Sequence, residues 1–109
     1  MIFDAENRED GWFRDRIFDV CVVGSGPAGI TLSRALARHG RNVGLFEGGG
    51  ETLTTESQEL YAGDVIGVNY NPLDAARLRF FGGTSNHWAG MCRSLDASDF
   101  VPHSANPHS

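Results

Sequence analysis

The apolar positions of the chain change period twice within its first half. Between residues 17 and 23 the run Ile17-Phe18-Asp19-Val20-Cys21-Val22-Val23 is almost unbroken, rich in β-branched residues, and stops at Gly24. A short continuous run bounded by glycine predicts a strand buried on both faces, as in a parallel sheet. From Ala28 the spacing becomes helical. Ala28, Leu32, Ala35 and Leu36 stand at i, i+4, i+7 and i+8, with Thr31, Arg34 and Arg38 mostly on the other side. That pattern predicts an amphipathic helix laying this stripe on a sheet. Pro27 suits the first helical turn, where a missing N–H is no loss. Arg38 and His39 suit the last turn, and Gly40 suits the position just beyond it. Asn42-Val43-Gly44-Leu45-Phe46-Glu47 then reads as a second strand ending in an acid. Strand, turn, helix and strand in this order predict a βαβ unit with a right-handed crossover.

After Gly48-Gly49-Gly50 the periodic signals weaken. Thr55 followed by Gln58 reads as a capping box, predicting a short helix over 56–62 closed by Gly63. From Asp64 onward the chain reads as turns, such as Asn71-Pro72, with a basic piece at Arg77 and Arg79. Residues 1–16 read as a polar arm with Phe3, Trp12 and Phe13 scattered along it, and residues 17–109 as a partial dinucleotide-binding domain. Two strands and one crossover helix cannot cover both faces of a parallel sheet. The pattern is therefore that of an incomplete α/β Rossmann-like unit, the N-terminal fragment of a larger protein, with the substrate domain absent.

Composition narrows the classes of partner. At 109 residues, with 40% hydrophobic and 21% charged positions, the chain reads as one soluble globular domain. A net charge of -5 argues against a nucleic-acid partner, which needs a basic face. No apolar run approaches the ~18 residues of a membrane span. The charged start MIFDAENRED lacks the apolar core of a secretory signal, which points to the cytoplasm. The two cysteines, Cys21 and Cys92, make no disulfide framework, and Cys21 reads as a small buried hydrophobe.

The chemistry lies in the glycine clusters. Gly24-Ser25-Gly26-Pro27-Ala28-Gly29 follows a strand and opens a helix, the setting a dinucleotide fingerprint requires. The first glycine permits the turn, the second lets backbone approach a pyrophosphate, and the third packs helix on strand. The pyrophosphate then sits on the helix N-terminus. Glu47 falls at the end of the second strand, about 20 residues beyond the glycines, where an acid accepts hydrogen bonds from ribose hydroxyls. This fingerprint does not distinguish FAD from NAD. A second cluster, Gly82-Gly83, preceded by Arg77 and Arg79, is expected to bring free N–H groups against the same phosphates. His87 and Trp88 would then lie further along the ligand.

Val22 to Gly29, the strand end Phe46-Glu47-Gly48-Gly49 and the segment Gly82-Gly83-Thr84-Ser85-Asn86-His87-Trp88 together resemble the glucose–methanol–choline (GMC) oxidoreductase family. The nearest likeness is to its sugar-oxidising branch, related to pyranose oxidases. It covers roughly residues 17–101 and only the N-terminal part of the family's pattern. It implies FAD cradled by Gly24, Ser25, Gly26, Pro27, Ala28, Gly29 and Glu47, with Gly82 and Gly83 closing over the diphosphate and Ser85, Asn86, His87 and Trp88 beyond. Pyranose oxidases carry a histidine in a similar Ser-x-His-Trp setting, bonded to the flavin 8α-methyl. His87 matches that histidine, although many relatives hold FAD without a bond, so either attachment is open. The resemblance also implies oxidation of an alcohol or sugar by hydride transfer to flavin N5. A histidine from the later half takes the proton. That half is not in this chain, so the isolated 109 residues are expected not to turn over. His103 and His108 stand in a patternless tail and carry no catalytic assignment. The alternatives are an NAD-binding unit of a small-molecule dehydrogenase and a truncated remnant that binds nothing.

Overall fold

In a computed structural model, which describes residues 1–87, 90, 92–102 and 104, the first glycine cluster sits between two parallel strands. Strand β1 (Val20–Val23) pairs with β2 (Val43–Phe46), Val20 opposite Val43 and Val23 opposite Phe46. Helix α1 (Pro27–Arg38) makes the crossover. Both strands are shorter than the apolar runs that announce them. Where the two strands begin, Asn42 adds side-chain bonds to backbone ones: its Nδ2 donates to Ile17 O (2.7 Å), its N–H donates to the Asp19 carboxylate (2.8 Å), and its carbonyl accepts from Asp19 N–H (2.8 Å).

Gly26 caps α1 with Pro27 in its first turn, and the helix ends at His39, as the sequence predicts. The His39 ring lies 2.8 Å from Ala35 O; a carbonyl only accepts, so Nδ1 carries the proton. Gly40 follows with φ +78°. The half-buried stripe is different from the predicted one. Gly29, Ile30, Ser33 and Leu36 turn toward the sheet, while Ala28, Leu32 and Ala35 are exposed, Leu32 by 51%. The cause is Gly29, where a Cβ would fall 1.9 Å from Gly24 O. Only a bare Cα fits that crossing, and it fixes the rotation of the helix. Leu36 alone belongs to both stripes.

β1 is also not buried on both faces. Val22, opposite Leu45, is buried under α1, but Cys21 and Val23 are exposed, Val23 by 86%. The reading of Cys21 as a buried hydrophobe is thus corrected. Alternation follows because α1 covers one face and the other is covered only over β2. There Phe18 and Phe46 meet edge to face at 5.7 Å across Gly44. The N-terminal arm adds to this cover, because Phe13 lies 6.2 Å from Phe46. Its aromatics are gathered rather than scattered. Phe3 and Trp12 stand 4.6 Å apart, and the guanidinium of Arg16 sits 3.7 Å from the Trp12 ring.

Helix α2 (Thr55–Glu59) begins one residue early and ends before Ala62. Its cap is Thr54, whose hydroxyl accepts from Ser57 N–H (3.2 Å), not Thr55. Gln58 completes no capping box because its amide reaches across to residues 74–79. A short α3 (Leu73–Ala76) follows Pro72 within a stretch that reads as turns. Two 3-10 turns, Gly83–His87 and Ala97–Phe100, complete the described elements. None of the described helices is long and apolar enough to cross a membrane.

Candidate dinucleotide site

The end of β1 turns through Gly24 (φ +98°) into the N-terminus of α1. The first N–H bond closing the helix runs from Ile30 to Gly26 O at 3.0 Å. The N–H groups of Ala28 and Gly29 therefore lack carbonyl partners within α1, and Pro27 has none to offer. A Cβ added at Gly26 would meet nothing within 4 Å, so no packing inside the chain demands a glycine there. An open Cα above unpaired N–H groups, on the positive end of a twelve-residue helix, fits a diphosphate pressed against the backbone.

Ser25 lies behind this loop rather than on it. It is fully buried, and its N–H (2.8 Å) and hydroxyl (2.7 Å) both donate to Glu47 Oε2. The other carboxylate oxygen accepts from Gly48 N–H (2.9 Å) and Gly49 N–H (3.2 Å). A carboxylate has about four acceptor positions, so the protein itself occupies Glu47 fully. Burial pulls its pKa up, but the bonds from the Ser25 N–H and hydroxyl, then Gly49 and Gly48, outweigh it and leave it below 4.5.

The second glycine cluster arrives at the same point. Gly82 N–H donates to the Ser25 hydroxyl at 3.1 Å, and a Cβ on Gly83 would lie 3.7 Å from Gly26 Cα. One buried hydroxyl thus joins the first loop, the end of β2 and the second loop. Both glycines hold positive φ, +87° and +62°. Their N–H groups are not free as the sequence reading expects. Gly82 uses its own on Ser25, and Gly83 donates to Phe80 O (2.8 Å). Those N–H groups hold the turn in place, so what it offers a ligand is its surface. Asn86 Nδ2 donates to Phe81 O and Gly83 O (3.1 and 2.9 Å), and Thr84 Oγ1 accepts from Leu78 N–H (3.1 Å). Ser85 and His87 are exposed on the 3-10 turn. Trp88, His103 and His108 lie outside the described residues.

Sequence reasoning overlooked Ser57, and it read Gln58 only as part of a capping box and Arg79 only as part of a basic piece before Gly82; the contacts of all three hold residues 77–81 against the glycines after Glu47. No periodic signal marks them, because the partners are 21 or 22 residues apart. An open concavity of about 290 Å³ lies instead against α2, lined by Leu53, Thr54, Gln58 and Asp74 among others. Among the described residues no group of three or more His, Cys, Asp and Glu side chains could hold a metal ion.

A parallel β–α–β crossover, a glycine turn feeding a helix N-terminus and an acid closing the second strand together define a dinucleotide-binding unit of the α/β class. The comparison with family models agrees. The chain belongs to the NAD(P)-binding Rossmann-like domain family, whose model matches residues 22–95. No curated protein and no solved structure matches it.

Proposed function

We propose that the dinucleotide is FAD and that the chain is the FAD-binding part of a GMC-type oxidoreductase acting on an alcohol or sugar hydroxyl. The observation that carries this reading is the Ser25 hydroxyl bond to Gly82, which sets Gly83 beside Gly26. It gives the diphosphate seat a second wall, built from the segment on which the likeness to that family rests. Bound FAD supplies the hydride acceptor, and the protein supplies position and electrostatics. On this reading Ala28 and Gly29 donate N–H bonds to the diphosphate, and the bare Cα of Gly26 lets it approach. Glu47 would be the residue that holds the ribose hydroxyls, through the Oε1 that Gly48 and Gly49 N–H groups now share. The Ser25 bonds on Oε2 keep the carboxylate in place. His87, exposed beyond the glycine pair, is the residue at which covalent attachment is tested.

The test is a titration of the purified chain with FAD and, separately, with NADH. Quenching of flavin fluorescence on binding is expected. Binding of NADH with no response to FAD would instead make the chain a nicotinamide-binding unit. Acid precipitation of the loaded protein then sorts the attachment: flavin left in the pellet, and lost in His87→Ala, marks a covalent bond. Flavin released wholly into the supernatant marks a non-covalent one.

A further inference from the structure

Beyond its part in holding residues 77–81, Arg79 has no task toward a ligand in the site as described, yet the chain fixes it firmly. Its N–H donates to Gln58 Oε1 (3.1 Å), and its carbonyl accepts from the Ser57 hydroxyl (2.9 Å). Phe81 N–H donates to Gly50 O (2.9 Å), which lays this strap along the glycines that follow Glu47. The approach is too close for side chains. A Cβ on Gly49 would fall 2.2 Å from Arg79 O, and one on Gly48 would fall 2.4 Å from Arg79 Nη2. The guanidinium therefore rests against Gly48, the residue next to the acid that marks the ribose end. It is half-buried, and only Nη1 finds an acceptor, the Ser57 hydroxyl at 3.0 Å. The one ion pair among the described residues joins Arg93 to Asp96, so no described carboxylate pairs with Arg79. A cation that is half out of water, fixed and not ion-paired among the described residues is poised for an outside partner.

We propose that Arg79 contacts the adenosine end of the bound dinucleotide, with the adenine ring stacked on its guanidinium. This rests on the dinucleotide reading and adds a residue to it. Arginine stacks on aromatic faces, whereas a 2′-phosphate at this end would also meet the charge of Glu47. The stack is independent of the flavin, so it extends to any ligand with an adenosine moiety.

The test compares wild type, Arg79→Gln and Arg79→Lys for binding of FAD, ADP, FMN and adenosine 2′,5′-bisphosphate, with thermal melts to verify folding. Arg79→Gln is expected to weaken FAD and ADP about tenfold. FMN, which has no adenosine, is expected to bind all three proteins alike. Arg79→Lys is expected to regain little, because an ammonium has no plane to stack. Unchanged FAD and ADP affinity in Arg79→Gln overturns the proposal, as does full rescue by lysine. Tighter binding of the bisphosphate than of ADP, lost in Arg79→Gln, makes this a 2′-phosphate seat and overturns it too. A wild-type chain that binds neither FAD nor ADP removes the dinucleotide reading itself, and the inference with it.

Discussion

Ser25 and Glu47 show how much of the site rests on two side chains. The Ser25 hydroxyl donates to the carboxylate and accepts from Gly82, so its loss strands an N–H at a buried junction. Glu47 makes the arrangement sensitive to pH. Its carboxyl is held below the ordinary 4.5, because donors from Ser25, Gly49 and Gly48 outweigh the upward pull of burial. A group depressed in the folded state adds stability above its unfolded pKa. That stability is lost as pH falls from about 4.5 through the folded value. Glu47→Gln is therefore expected to be less stable than wild type at pH 7, and the gap is expected to narrow below that point. Urea midpoints for both proteins from pH 7 to pH 3 check this; a constant gap would exclude Glu47 as the source. The acid itself was legible from its place at the strand end. That protein donors fill all its acceptor positions was not, since Ser25 is 22 residues away.

At the scale of the element, local pattern fixes the kind of structure and Gly29 fixes its orientation. The turn residues Pro27, His39 and Gly40 mark the ends of α1 from sequence alone. The face of α1 that turns inward is set by the crossing of Gly29 over the Gly24 carbonyl, where a Cβ would come within 1.9 Å. Hydrophobic spacing points to Ala28, Leu32 and Ala35, and the contact overrides it. Gly29→Ala is accordingly expected to cost about 1–3 kcal/mol, because backbone must shift to admit one methyl. Leu32→Gln is expected to stay within about 0.5 kcal/mol, the range of an exposed site. Thermal melts of the two variants separate the predicted stripe from the observed one. A large loss in Leu32→Gln would restore the stripe that spacing suggests.

Across the whole molecule, burial is sparse. Val22 is the buried hydrophobic side chain among the described residues, and the radius of gyration is 17.2 Å, against about 13 Å for a compact domain of 100 residues. The aromatic arm matters in this setting, because Phe13 brings it against Phe46 on the face that α1 leaves uncovered. Removal of residues 1–16 is expected to lower the melting temperature and raise binding of a hydrophobic dye. Unchanged dye binding would show that the arm covers nothing. The sequence by itself determined the strands, the crossover helix and the glycine fingerprint, since each is written in neighbours within a few residues. The sequence also led to the expectation that both glycine clusters face one diphosphate, but tertiary structure alone decided the phase of α1, the gathering of the arm, and the particular bonds and contacts of Ser25 with Glu47, Gly82 with Ser25, and Arg79 with Gly48. The physical reason is separation along the chain. Hydrogen bonds across 22 and 57 residues depend on how the βαβ unit closes, and no local period encodes that closure.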